Sequence, residues 1–300
     1  MIISASRRTD IPAHHAEWFM GRIREGCCQV ISPFDSRRVT RVGLEPREVE
    51  AIVFWTRDPS GLLPGLQELD ERGYRYLFLY TLLDYPPPLE PNAPPLPLRL
   101  ETFKRLSRRL GSERVIWRYD PIILSARTDA PFHLEAFDRL AAELEGATRR
   151  VVVSIFDEYA RIRARLGALE ADGFAVFRPQ EAAPQFEELM RGLARSAARR
   201  GMEIFSCAED HDLRPYGIEP GSCIDGALLE RLFNIRPSGR KDPGQRKHCR
   251  CAPSKDIGAY DTCLSGCLYC YATGSPARVR KNIRCLDPSS PSLLPAAPKT

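Results

Sequence analysis

Apolar positions along this chain follow two alternating rhythms. Short runs of β-branched and aromatic residues, apolar at consecutive positions, occur at 2–6, 51–56, 76–81, 115–119, 151–155 and 203–207. Runs such as Ala-Ile-Val-Phe, Tyr-Leu-Phe-Leu-Tyr and Val-Val-Val are apolar on both faces, which parallel strands covered by helices require. Between them apolar residues recur at helical spacing. Leu134, Phe137, Leu140, Ala141 and Leu144 form one stripe, and Phe186, Leu189, Met190, Leu193 and Ala197 form another. Repeated β–α units of this kind predict an α/β fold on a parallel sheet. Six units before residue 235, plus a seventh strand expected at 256–261, predict a TIM-like parallel β/α barrel, complete or partial.

Two segments break the rhythm. Residues 84–98 carry seven prolines and read as an extended surface loop. Residues 287–300, rich in proline and serine, read as a disordered tail. Residues 236–245 are rich in Arg, Lys, Pro and Gly and connect into a cysteine-rich end. The expected organisation is a barrel-like domain over 1–235, a cysteine-rich segment over 236–286 that completes the barrel mouth, and the tail.

Composition narrows the class. With 300 residues, 43% of them hydrophobic and 28% charged, the chain can bury a sizeable core. No run approaches the roughly 18 apolar residues of a membrane span, and the N-terminal apolar burst stops at Arg7-Arg8, too short for a secretory leader. A cytoplasmic protein is expected. The net charge of +5 is short of the bias of a dedicated nucleic-acid binder. The pairs Arg37-Arg38, Arg108-Arg109, Arg149-Arg150 and Arg199-Arg200 read as solvated faces at element ends. Ten cysteines stand out for a reducing compartment, where clustered thiols point to metal or redox chemistry. Six of them, Cys249, Cys251, Cys263, Cys267, Cys270 and Cys285, crowd the last sixth of the chain. The histidines show no metal spacing, and His14-His15 open a helix that is expected to expose them.

The central text is Cys263-Leu-Ser-Gly-Cys267-Leu-Tyr-Cys270-Tyr-Ala. A loop with thiols at spacings of four and three can wrap a compact cluster, and Gly266 removes a Cβ where the backbone bends. Thiolate-rich ligation selects zinc, copper(I) or iron–sulfur. A closed structural zinc site needs four ligands, and this motif offers three. Cys207, Cys223, Cys249 and Cys251 total four, the number a second closed site needs, as an iron–sulfur cluster or zinc. Cys27, Cys28 and Cys285 are left unassigned, with packing as the default.

Cys263-x3-Cys267-x2-Cys270, with Tyr269 before the third cysteine, resembles the signature of the radical SAM superfamily. The resemblance implies that the three cysteines hold a [4Fe–4S] cluster, with Tyr269 packed beside the cofactor. It also implies S-adenosylmethionine on the open iron, reductive cleavage to a 5′-deoxyadenosyl radical, and an electron donor of flavodoxin or ferredoxin type. In that superfamily the motif follows the first barrel strand; here it lies near the C-terminus. Together with the opening Ser4-Ala5-Ser6-Arg7-Arg8-Thr9-Asp10, this is similar to an uncharacterised bacterial family with a C-terminal cluster motif. A permutation relative to the usual radical SAM core accounts for the placement. A strand at Asp256-Ile-Gly-Ala-Tyr260 beside residues 2–6 would bring the cysteines over the C-terminal strand ends, where parallel barrels place their chemistry.

Several strands finish in polar groups expected to converge there: Arg7-Arg8-Thr9-Asp10, Thr56-Arg57-Asp58 and Arg118-Tyr119-Asp120. Arg8, Arg57 and Arg118 are candidate ligands for the cofactor's carboxylate or an anionic substrate, because guanidinium matches such groups bidentately. Asp10, Asp58 and Asp120 read as caps or turn residues before proline. The opposing readings are a non-catalytic zinc or iron–sulfur protein that binds nucleic acid through a basic surface, and a barrel hydrolase with a structural metal. The Tyr-Cys-Tyr-Ala ending resembles radical SAM lyases that repair thymine lesions; the sequence does not decide between a small-molecule and a macromolecular substrate.

Overall fold

The computed structural model describes residues 1–171, 173–176 and 183–296. In chain order the elements begin with β1 (Ile2–Ala5), α1 (Ile11–His14), α2 (Ala16–Glu25), β2 (Cys27–Ile31), β3 (Val39–Gly43) and β4 (Ala51–Thr56). They continue with α3 (Leu66–Glu71), β5 (Tyr76–Thr81), α4 (Leu96–Leu110), β6 (Val115–Ile122), α5 (Ala130–Glu143) and β7 (Arg150–Ile155). The last are α6 (Arg163–Ala171), α7 (Ala183–Arg199), β8 (Glu203–Cys207), β9 (Glu219–Gly221), α8 (Gly226–Phe233), β10 (Ser254–Asp256) and α9 (Pro276–Ile283).

Eight strands form one sheet in the order β10-β1-β4-β5-β6-β7-β8-β9, and every ladder in it is parallel. With intervening helices this is the expected barrel-like α/β architecture. The described ladders run from β10 to β9 without joining those two strands, so the barrel keeps an open seam. β2 and β3 form a separate antiparallel hairpin.

Alternate residues of each strand serve two cores. Phe54, Phe78, Trp117, Tyr119 and Val153 pack with Phe19, Phe103 and Phe137 of the helices. Trp117 stacks on Phe137 at 4.7 Å between ring centroids. The opposite face, with Val53, Trp55, Leu77, Leu79, Ile116 and Val152, packs against Leu228 and Leu229 of α8 and against Cys249, Cys251 and Ala252. Burial on both faces explains the continuous apolar runs, each such side chain contributing about 1.5–3 kcal/mol. Helix starts are capped by side chains: Asp10 accepts from the Ala13 N–H, Asp129 from Phe132, and Asp225 from Ala227 and Leu228.

Four expectations need correction. The seventh strand lies two residues earlier than its pattern suggested, at Ser254–Asp256, and it pairs with β1 through Ile2↔Ser254, Ile3↔Lys255 and Ser4↔Asp256. β9 and the β2–β3 hairpin were not foreseen, since Glu-Pro-Gly is no strand signal and β3 is half exposed. The proline-rich segment is not a surface loop throughout. Tyr85, Leu89 and Glu90 are buried, the Leu268 N–H donates to the Leu89 carbonyl at 3.1 Å, and α4 begins at Leu96. Finally, the described part of the proposed disordered tail is docked. Trp18 Nε1 donates to the Ser290 carbonyl (2.9 Å), Arg22 to Ser289 (3.0 Å) and the Gln29 N–H to Pro291 (2.7 Å), with Leu293 buried. These carbonyl contacts give a proline-rich segment the partners it cannot make within itself. Residues 297–300 lie outside the described residues.

Candidate metal and cofactor site

Parallel strands deliver their C-terminal ends to one edge of the sheet, and a cavity of about 770 Å³ opens there. Its wall takes Ser6 and Arg7 after β1, Trp55 and Thr56 from β4, Thr81 from β5, and Arg118 and Asp120 from β6. Ser154 and Ile155 of β7, Cys207 of β8, Cys223 just after β9 and Asp256 of β10 complete the ring. The volume is that of sites that enclose a cofactor or small ligand.

Because β10 lies beside β1, the loop that follows it emerges at the same edge. Asp256 fixes this arrangement. Its carboxylate accepts from Ser4 Oγ (3.0 Å), Ser6 Oγ (2.7 Å), the Arg7 N–H (2.7 Å) and the Gly258 N–H (3.0 Å). The loop then brings Cys263, Cys267 and Cys270 to the cavity wall. Arg165 of α6 holds the loop from behind, donating to the carbonyls of Cys267 (3.2 Å), Cys270 (2.7 Å) and Thr273. Asp261 closes its base, accepting from Arg161 (2.7 Å) and the Gly274 N–H. Gly266 adopts φ +70°, but a Cβ there would meet Asn92 Nδ2 at 2.8 Å; the close approach is to the proline-rich segment.

Tyr269 is buried, and its hydroxyl donates to Glu90 Oε1. Arg57 donates to the same Glu90 oxygen (2.6 Å) and to the Tyr269 hydroxyl, and its guanidinium lies 5.6 Å from the Tyr269 ring centroid. Arg57 is therefore fixed behind Cys267, whose thiol burial pushes up in pKa against the opposing Arg57 charge. Arg118 pairs with Asp120, and Arg8 stands 3.9 Å from Asp256 and over the Tyr260 ring. All three candidate arginines have protein partners, and each still lines the cavity. Asp10 and Asp58 cap α1 and the turn after β4 as expected. Asp120 instead accepts from Ser154 Oγ at 2.6 Å and faces the cavity.

The exposed placement expected for His14 and His15 is wrong. His15 is buried, and its Nε2 bonds the Thr262 carbonyl at 3.0 Å. Burial lowers its pKa to about 4, so the ring is neutral and donates. His14 lies under the cysteine loop, 3.0 Å from Ser265 Oγ. Burial acts to raise the Cys263 thiol, but the hydrogen bond and charge of His14 outweigh it, and the thiol's pKa is lowered. Neither histidine was legible as a site residue, because the partner lies some 250 positions away.

Cys207, Cys223, Cys249 and Cys251 also gather at this edge. The sulfurs of Cys207 and Cys223 stand 3.1 Å apart, the Ile224 N–H points to Cys251 Sγ at 3.4 Å, and the Cys251 N–H to Cys249 Sγ at 3.5 Å. Seven of the ten cysteines therefore line one cavity. Of the others, Cys28 packs in the core as expected, Cys27 is half-buried, and Cys285 is exposed. Among the described residues no three His, Cys, Asp or Glu side chains are set around a single metal ion. An iron–sulfur cluster takes thiolates at separate corners rather than around one ion. The donor set suits such a group: three thiols on one loop, clamped from behind, facing open volume.

Fold and site together define a parallel β/α barrel-like protein with a thiol-lined cavity over its strand ends. The chain belongs to the family described as Domain of unknown function (DUF1848), whose model matches residues 2–272 and so takes in both cysteine sets. No curated protein matches it. No helix among the described residues is long and apolar enough to cross a membrane.

Proposed function

We propose that this protein is a radical SAM-type enzyme whose [4Fe–4S] cluster is held by Cys263, Cys267 and Cys270. The observation that carries the reading is the β10–β1 pairing, which brings the three-cysteine loop to the C-terminal strand edge, over a cavity of about 770 Å³. Cys263, Cys267 and Cys270 would hold the cluster, which when reduced would supply one electron to the sulfonium of a bound S-adenosylmethionine, its C–S bond breaking to give methionine and a 5′-deoxyadenosyl radical.

The chain's own residues do the rest. Arg165 and Asp261 hold the loop's backbone so that three thiols face one way. Arg57, fixed by Glu90 and Tyr269, places a positive charge behind Cys267 and offsets the charge of the buried thiolates. Arg7 Nη2 and Arg118 Nε are buried at the cavity wall without partners, donors that suit an anionic group on a bound molecule. Tyr159, Tyr260 and Tyr271 supply aromatic wall against which an adenine or substrate ring can stack.

Purification without oxygen, followed by reconstitution with iron and sulfide, tests the reading. The expected protein is brown and holds about four irons and four sulfides per chain at this loop. With dithionite and S-adenosylmethionine it releases 5′-deoxyadenosine. Cys267→Ser removes both the iron and the release. Colourless protein after reconstitution, or an intact reducible cluster that never cleaves the sulfonium, overturns it. The same preparation distinguishes a zinc protein, which remains colourless and takes up zinc at the Cys263 loop.

A further inference from the structure

We infer that Cys207, Cys223, Cys249 and Cys251 form a separate metal centre, a single zinc ion on four thiolates that staples the open seam of the barrel. The inference does not depend on what the Cys263 loop binds.

Topology brings these four together. Cys207 ends β8, and Cys223 follows β9, the strand at one edge of the sheet. Cys249 and Cys251 precede β10, the strand at the other edge. No ladder joins those edges among the described residues, yet the Ala252 N–H donates to the Ile224 carbonyl across the gap at 2.9 Å. An ion shared by Cys223 and Cys251 ties one edge to the other.

Burial and contact agree with ligands rather than packing thiols. The four side chains belong to residues only 2–8% exposed. Two backbone N–H groups, of Ile224 and Cys251, point at sulfur, the arrangement that steadies a thiolate. Four neutral thiols packed for hydrophobicity alone need neither.

Spacing selects the kind of centre. Two thiolates on a tetrahedral zinc, with bonds of about 2.3 Å, stand about 3.8 Å apart. Cys207 and Cys223 rest at 3.1 Å, closer than that, so the pair must open to take an ion. Parting by about 0.7 Å admits one ion. A four-iron cluster needs its ligands on separate corners and a far larger opening.

Charge completes the argument. Four thiolates around a divalent ion carry a net charge of −2 (4 × −1, plus 2). Two guanidinium groups share the cavity wall with them, the Arg7 charge acting on Cys251 and Cys223 and the Arg118 charge on Cys207 and Cys223. Both sit over the Trp55 ring, at 5.0 and 4.6 Å from its centroid. Each retains a buried nitrogen without a partner, although Arg7 also reaches Ser254 and Arg118 pairs with Asp120. Two buried cations, each with a carboxylate already beside it, offset part of the charge of a tetrathiolate centre.

The test uses the full-length chain carrying Cys263→Ser, Cys267→Ser and Cys270→Ser, so that any metal it retains belongs to the second set. We expect about one zinc per chain and zinc-edge X-ray absorption showing four sulfurs at about 2.3 Å. Exchange for cobalt(II) should give the strong thiolate-to-cobalt absorption of a tetrahedral S4 site. Adding Cys223→Ser and Cys251→Ser should lower zinc at least tenfold. Because that variant can unfold, the absorption spectrum of the unaltered four-thiol set stands as the independent readout. A metal-free four-thiol set, a Cys207–Cys223 disulfide, nitrogen or oxygen ligands, or iron with sulfide in this variant would each overturn the inference.

Discussion

At Gly266 two separate costs would meet in any substitution. The φ of +70° is the left-handed region, where an L side chain costs roughly 1–2 kcal/mol. A Cβ would also press on the Asn92 amide at 2.8 Å, and that amide donates to the Leu264 carbonyl. Gly266→Ala is expected to destabilise the protein by about 2 kcal/mol in denaturant unfolding. Removing the obstacle with Asn92→Ala should relieve only the steric part, because the backbone cost remains. The sequence announced this glycine and its three cysteines, since spacing within eight residues is local information. It could not announce Arg165, Glu90 or His14. Each acts on the cysteine loop from more than 100 positions away, and an isolated Arg, Glu or His carries no sign of its distant partner.

Elements differ in legibility for a related reason. β4, β5 and β7 are buried along their whole length or nearly so, so their composition reveals them. β10 reads Ser-Lys-Asp and is only half-buried, and what holds it is polar: four donors converge on the Asp256 carboxylate. Asp256→Asn turns part of that acceptor into a donor facing other donors. It is expected to cost about 3 kcal/mol. Hydrogen exchange should locate the damage, with faster exchange over 254–258 and no change over β7. Uniform exchange across the molecule would argue against a local role for this carboxylate. Arg108, Arg109 and Arg199 follow the bland expectation in exposed ion pairs and Arg200 pairs half-buried, but Arg150 does not: it is half-buried over the Phe205 ring and pairs with Asp225. The exposed pairs contribute little to stability.

The whole molecule should show its stability against pH through His133. Its ring is buried between the Tyr119 hydroxyl (2.8 Å at Nδ1) and the Ile123 carbonyl (3.0 Å at Nε2), so the neutral ring donates from Nε2 and accepts at Nδ1. Burial lowers its pKa from 6.5 to about 4. The unfolded chain takes the proton near 6.5 and the folded protein only near 4. The stabilisation is therefore complete above pH 6.5 and declines as the pH falls towards 4, by about 3 kcal/mol in all. Thermal melts from pH 7.5 to 4 should show this decline, and His133→Gln should reduce its slope, with the buried His15 supplying a like share of what remains. An unchanged slope in that variant would assign the effect to other groups.

The pairing of β10 with β1 also sets a timetable. Ser4 is made 252 positions before its partner Asp256. At about 5–20 residues per second, synthesis separates them by on the order of 10–50 seconds. During that interval β1 can lean on β4, but Ser4, Ser6 and the Arg7 N–H wait for their acceptor. The cysteine loop comes later still. A ribosome that stalls before residue 256 leaves a chain with most of its sheet and no completed cavity. The thiols of the loop gather only after residue 270 has been made, so any group they take is loaded after the rest of the sheet is in place.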